Sequence, residues 1–241
     1  MGSGVYGSRS RIDSCKWGQK VNLDLSPIVD NWRYLAGGFY YTVLLSFGTI
    51  VGSFFVGTAL GLLRCYGPKF LVIIVTFYID SIRAIPVLVI IVWIYFSLPI
   101  FADIVLAPFY AALIALIAHF SVYVAEAVRA GIQSVREGQT RAGLALGMSY
   151  PQVVRVVILP QAFVRMIPPL GSIVTTSIKD TAIASIIAVP ELMRAASTVS
   201  VQTYRPMEVL TVAIIAFFLL IFPITVGINA FYRRISFLGR S

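Results

Sequence analysis

Four ionisable residues stand inside long apolar runs of this chain. Asp80 and Arg83 are three residues apart; Lys179 and Asp180 are adjacent, with Thr181 next in line. A charged side chain at membrane depth costs about 2.5–3.5 kcal/mol on insertion scales, so such groups turn toward a bundle interior or water. Two chemistries fit them. In the first, they line a path for a zwitterionic or charged solute, with Arg83 or Lys179 near a carboxylate and Asp80 or Asp180 near an ammonium. In the second, they form two structural ion pairs that lock the bundle. Their charges sum to zero, which selects neither an acidic nor a basic solute. Glu126 and Arg129 are also three apart, neighbours on one helix face, and read as a structural pair bracing the segment that follows. His119, alone on an apolar stretch, reads as a packed residue. With no Cys/His cluster a metal site is not expected, and with only Cys15 and Cys65 neither is a disulfide framework.

The elements that position these residues are membrane helices. The 241 residues are 59% hydrophobic and 12% charged, about half the charged fraction of a soluble domain. Five apolar runs, at about 39–63, 70–98, 104–128, 163–189 and 210–231, each reach the roughly 20 residues a spanning helix needs. None alternates with period 2, so the fold class is an all-α membrane protein of about five transmembrane helices rather than a barrel. The fourth run carries Pro168-Pro169, Lys179-Asp180 and, just beyond, Pro190; a broken or kinked helix is expected there. The Gly48-x-x-x-Gly52 and Gly57-x-x-x-Gly61 spacings of the first run permit close helix contact, and Trp93, Tyr95 and Phe96 fit an interfacial belt. Residues 1–38 form a polar N-terminal segment without the apolar core of a signal peptide. Residues 39–232 form one transmembrane domain with a loop at 129–165, and 233–241 a short tail.

Five spans place the ends on opposite sides. Arg64, Lys69, Arg129, Arg136, Arg141, Arg155, Arg165, Arg233, Arg234 and Arg240 fall on one side. Lys20, Arg33, Arg194 and Arg205 fall near the spans on the other, with Arg9, Arg11 and Lys16 further out. The excess of basic residues puts the 129–165 loop and the C-terminus in the cytoplasm and the N-terminus outside. The net charge of +9 is thus a matter of orientation, and no basic stripe with interleaved aromatics points to nucleic acid.

That loop is the one compact polar segment. Thr140 to Leu146 favours helix, and Gly147 stands where a left-handed C-terminal cap wants glycine. Ser149 and Gln152 have the spacing of a capping box for a second helix, with Pro151 in its first turn and an end expected before Pro160. The product is a helical corner with small residues at its tip. It either lies on the lipid headgroups as an amphipathic pair or inserts into a groove on a partner.

The segment resembles the EAA loop of bacterial ABC-transporter permeases. In that pattern Glu-Ala-Ala is followed by a Gly six positions after the Glu, and Ile-x-Leu-Pro begins ten after the Gly. Gly147 and Val157-Ile158-Leu159-Pro160 match, whereas Arg141-Ala142-Gly143 departs at two of three positions and exchanges an acid for a base. Tyr123-x-x-Glu126-x-x-Arg129-x-Gly131-Ile132, Arg83-x-x-Pro86, Lys179-Asp180-Thr181 and Val189-Pro190-Glu191-Leu192 resemble the polar amino-acid branch, over about residues 38–235. The resemblance implies a type I importer permease fold with cytoplasmic coupling helices. It implies a second permease chain, identical or related, and two cytoplasmic ATPases docking on Gln139, Arg141, Ala142, Gly143, Ala145, Leu146, Gly147, Met148, Ser149 and Pro160. It also implies an extracytoplasmic binding protein that delivers an amino acid. This chain has no Gly-x-x-x-x-Gly-Lys-Ser/Thr loop. It is therefore not expected to be an enzyme or to bind a cofactor; ATP and Mg would be used by the partner ATPases. The competing readings are an ion-gradient-driven secondary transporter, which needs no docking loop, and a non-transporting membrane scaffold.

Overall fold

A computed structural model describes residues 24–236, and among them every regular element is helical. A short α1 (Ser26–Asp30) leads into α2 (Trp32–Tyr66), followed by α3 (Lys69–Ala84), α4 (Val87–Ala102) and α5 (Pro108–Gln133). The polar loop supplies α6 (Glu137–Ala145) and α7 (Tyr150–Val153). Then come α8 (Leu159–Asp180), α9 (Leu192–Thr203) and α10 (Pro206–Ile235). Four of the helical stretches are long and apolar enough to cross a membrane, or five if α3 and α4 together make one crossing. The expected segments at 1–23 and 237–241 lie outside the described residues.

Burying a leucine against another leucine gains little when the alternative is lipid, so close packing has to hold such a bundle. Its centre is α5, 67% of whose apolar window is buried, against 11% for α10. Along α2, Gly48 faces Leu113, Gly52 faces Ile117, Gly57 faces Ser121 and Val124, and Gly61 faces Ala125 and Val128. At Gly57 a β-carbon would lie 2.5 Å from the Ser121 carbonyl oxygen, and at Gly61 one would lie 2.8 Å from that of Ala125. The two glycine pairs thus make one seam, along which α2 and α5 approach backbone to backbone. At one end of the bundle Leu45, Ile91, Ala115, Leu116 and Val189 are buried together. At the loop end Val128, Ile132, Val153, Ile158 and Met166 form a second cluster.

Two expected straight or ended helices are not so. The 70–98 run is not one helix: α3 and α4 meet at 104°. Pro86 has no N–H and forces its predecessor away from helical angles; Ile85 is extended, with φ −102° and ψ 131°. In the loop, the second helix does not end before Pro160. A π-helical turn, Val154–Ile158, follows α7, and α8 starts at Leu159, whose N–H bonds the carbonyl of Val154 five residues back. The wider turn places Pro160 in the first turn of a fresh α-helical register, where a missing N–H costs little. The expected break in the fourth run is present, at Lys179-Asp180. Helix α8 continues through Pro168 and Pro169, and the regular helix gives way only at Asp180, to a tighter turn over Thr181–Ile187.

Candidate docking loop and polar pocket

Helix α6 ends in a Schellman cap. The N–H of Met148 bonds the carbonyl of Gly143 at 3.2 Å, and the N–H of Gly147 bonds that of Leu144 at 3.0 Å. Gly147 has φ 81°, a left-handed conformation that costs other residues about 1–2 kcal/mol. Beyond it, Ser149 stands extended before α7 and its N–H donates to Oε1 of Gln152 at 2.8 Å. The two arms of the corner touch at Gly143, where a β-carbon would lie 2.9 Å from a methyl of Val153. This contact gives a local reason for glycine in place of the second alanine of the resembled pattern.

The corner is held on the bundle by Val135, Val153 and Ile158, all buried, and by Arg165 of α8, whose guanidinium donates to the carbonyl of Ser134 at the end of α5. Its outer side is open. Leu146 is 83% exposed, with Ala142, Leu144, Ala145 and Tyr150 beside it. Arg141 pairs with Glu137 at 2.9 Å across one turn of α6, both largely in solvent; an exposed pair of this kind contributes about 0.3–0.5 kcal/mol. The tip thus presents an apolar patch beside one acid and one base.

Where α5 meets α2, Glu126 takes Arg64 at 2.8 Å from one side and Arg129 from the other; Arg129 also reaches Gln133. The expected Glu126–Arg129 pair is present, and Arg64, which the spacing rules could not supply, turns it into a tie between two helices.

The four intramembrane charges and Thr181 do not form one site. Asp180 lines a cavity of about 290 Å³ with His119, Phe120, Tyr123, Ser172, Ile173 and Thr176. Lys179 is exposed one residue before it. Thr181 is fully buried and its hydroxyl donates to the carbonyl of Ile178 at 2.7 Å, so it serves the helix end rather than the cavity. Asp80 lies on a separate groove along α3 with Thr76 and Ser81. The Arg83 guanidinium sits 5.9 Å from the centre of the Tyr123 ring. None of the four engages in an ion pair among the described residues, so two locking pairs within the chain are not what the charges make.

His119 belongs to the cavity, which its isolation in sequence concealed. It is 7% exposed, packs edge to face on Phe120, and its Nδ1 has no hydrogen-bond partner among the described residues. A buried imidazole nitrogen left without a partner is uncommon and marks a place for a ligand or water. On α8, Ser172, Thr176 and Lys179 are exposed at helical spacing in mid-span. A polar stripe there is set against water or another chain, since lipid cannot satisfy it.

The architecture defines a class: a multi-helix membrane protein with a polar cavity in the bundle and an apolar-tipped helical corner projecting from one end. Within that class the chain belongs to the binding-protein-dependent transport system inner membrane components, whose family model matches residues 53–237. It is 36% identical to a probable glutamine ABC transporter permease protein, GlnM, of Bacillus subtilis (strain 168), over 214 residues covering 89% of this chain and 99% of that one. It is 33% identical to the glutamine transport system permease protein GlnP of Escherichia coli (strain K12), covering 90% of this chain and 97% of that one. Among solved structures it resembles a crystal structure of an amino acid ABC transporter with histidines, with a TM-score of 0.82 and 31% identity over 88% of this chain and 98% of that one. The fold also matches the inward-facing MetNI methionine ABC transporter, with a TM-score of 0.73 at 19% identity over 86% of this chain and 98% of that one.

Proposed function

We propose that the chain is the transmembrane subunit of an ATP-driven amino-acid importer and that its own cavity holds the solute. The observation that carries the reading is the cavity itself. Asp180, Ser172 and Thr176 line it together with His119 of α5, and α8, which carries those three, exposes a polar stripe in mid-span. Asp180 takes the α-ammonium, and the hydroxyls and imidazole take the remaining hydrogen bonds. Exposed Lys179 offers the charge for the carboxylate. A site with one acid and one base suits a solute with no net charge, and glutamine, for which two relatives are named, is the first to try.

The 129–165 loop faces the cytoplasm, with the C-terminus on the same side and the N-terminus outside. Two ATPases, which bind ATP and Mg, dock on the exposed corner at Leu146 and Gly147. A second permease chain completes the path, and a binding protein outside delivers the amino acid. Nucleotide binding draws the two corners together and biases a two-state bundle toward the outward-open form.

The test is uptake of labelled glutamine into proteoliposomes holding this chain, its ATPase and its binding protein. ATP-dependent uptake that survives an ionophore is expected, and Asp180→Asn should reduce it at least tenfold, as expected when a charged partner of the solute worth about 1.5–3 kcal/mol is lost. Uptake that persists without ATP and collapses with the ion gradient would replace this reading with a secondary transporter.

A further inference from the structure

Helices α2, α8 and α10 enclose an apolar cavity of about 400 Å³. Its floor is buried and consists of Ser53 of α2, Val124 of α5, and Ile167, Gly171 and Ser177 of α8. The two serines ask nothing of an occupant. The hydroxyl of Ser53 donates to the carbonyl of Ile50 at 3.2 Å, and that of Ser177 to the carbonyl of Val174 at 2.8 Å. Phe54, Phe163 and Phe231 form the rim and are exposed. Helical spacing puts Ser172 and Thr176 on the opposite face of α8, so this space is distinct from the polar cavity at Asp180. A cavity with no polar atom to satisfy stays dry and takes an apolar ligand.

Its length and its open end narrow the choice of ligand. The α8 wall runs from Phe163 to Ser177, about 21 Å along the helix. One leaflet of hydrocarbon is about 15 Å deep, half of a layer about 30 Å thick, so the cavity can take an extended chain from one leaflet. Phe163 lies near the start of α8 and Phe231 near the end of α10, so this end of the cavity opens at the loop end of the bundle. Gly227, Phe231 and Arg234 follow at i, i+4 and i+7 on one face of α10. A base therefore stands one turn beyond the rim. The last turn of α10 holds Arg233 and Arg234, both exposed, and no acid. The Arg233 guanidinium donates to the carbonyl of Asn229, whereas Arg234 has no hydrogen bond or ion pair among the described residues.

We propose that this cavity binds one acyl chain of an anionic phospholipid, whose phosphate is held at Arg234 with Arg233 beside it. Arginines at a membrane surface attract anionic headgroups, and a basic pocket between spanning helices holds one in place. The chain lies along the floor from the Phe163 end toward Ser177, and the three rim phenylalanines flank it. An amino acid would find no partner for its charges there. A side chain from another protein is too short to fill a space about 21 Å long. A lipid with an uncharged headgroup would fill the cavity but leave both bases unmatched. The bound chain wedges α8 between α2 and α10, on the face opposite the solute cavity, so the site stands or falls independently of how the solute is held.

The experiment reads lipid binding rather than transport. The full chain with its ATPase is reconstituted in nanodiscs of phosphatidylcholine. A trace of phosphatidylglycerol or, in parallel, of phosphatidylcholine carries a photoactivatable acyl chain, and labelled residues are located by mass spectrometry. The phosphatidylglycerol probe should label residues 163–177 and 227–231 at least tenfold more than Phe218 and Phe222, which are exposed elsewhere on α10. A β-carbon at Gly227 would meet nothing within 4 Å. Gly227→Leu therefore fills the cavity without pushing on the backbone and should cut labelling there at least tenfold, with the ATPase still bound as the sign of an intact chain. Arg233→Gln with Arg234→Gln leaves the cavity in place and should lower the preference for phosphatidylglycerol over phosphatidylcholine about thirtyfold, at about fivefold per base. Cavity labelling no stronger than at Phe222 would mean ordinary boundary lipid, and none at all would mean that protein covers the rim. Equal labelling by the two probes would mean that the bases recognise no headgroup. Each of these results overturns the proposal.

Discussion

Gly147 tests whether the shape of the docking corner, rather than its composition, couples it to an ATPase. Its φ of 81° lies in the left-handed region, and a β-carbon there would meet nothing within 4 Å, so substitution acts through the backbone alone. Asparagine tolerates this region best among the other residues and should leave coupling within about threefold of wild type. Alanine costs about 1–2 kcal/mol, so the docked geometry should become about 5–30-fold rarer. Proline fixes φ near −65° and deletes the 3.0 Å bond from the Gly147 N–H to Leu144, adding about 1 kcal/mol; it should abolish coupling by turning the second arm elsewhere. The assay is solute-stimulated ATPase activity of the reconstituted complex, with the amount of chain inserted in the membrane as reference. Insertion should be unchanged throughout, because the corner lies outside the spanning helices. Equal stimulation across the asparagine, alanine and proline variants would refute the argument, as would normal stimulation in Gly147→Pro.

The α2–α5 seam makes a second prediction. Gly57→Ala puts a methyl 2.5 Å from a carbonyl oxygen that cannot rotate away, so it should destabilise by about 1–3 kcal/mol, read as a lower midpoint of thermal unfolding in detergent. Gly37→Ala, with open space around it, should not. Glu191 makes a third. It caps α9, between the spans, accepting the N–H groups of Met193 at 2.7 Å and Arg194 at 2.6 Å, and is fully buried. Burial outweighs these bonds and pushes its carboxyl from 4.5 up to about 7. The folded chain therefore holds a proton that the unfolded chain releases, and stability falls as pH rises from about 4.5 to about 7, by about 3 kcal/mol in all. Glu191→Gln, which keeps one acceptor, should flatten that part of the thermal-stability profile; an unchanged slope would mean that another group carries it.

Much of the loop was legible because its signals are local. The glycine cap, the Ser149-x-x-Gln152 spacing and the turn between two short helices follow from dihedral preferences and hydrogen bonds a few residues apart. The wrong end at Pro160 has a local cause as well: a π-helical turn leaves no composition mark, so proline read as a stop although it opens a new register. Likewise the apolar run continues on both sides of Pro86, so composition carries no sign of the 104° bend there. The break expected in the fourth run falls at Lys179-Asp180, while α8 runs on through Pro168 and Pro169.

The sequence by itself determined that this is a helical membrane protein, where the helices begin to within a turn or two, and the shape of the corner at Gly147. Those properties depend on composition along the chain and on neighbours within about four residues. Tertiary structure alone decided which charges share a site. It brought Asp180 to His119, some sixty residues earlier, set Arg64 on Glu126, buried Thr181, and left Asp80 on a different face. A spacing rule reports which side chains share a face of one helix. It says nothing of which face another helix covers, and in a bundle where lipid and protein are equally apolar that choice is made by the fit of glycines and side chains between helices.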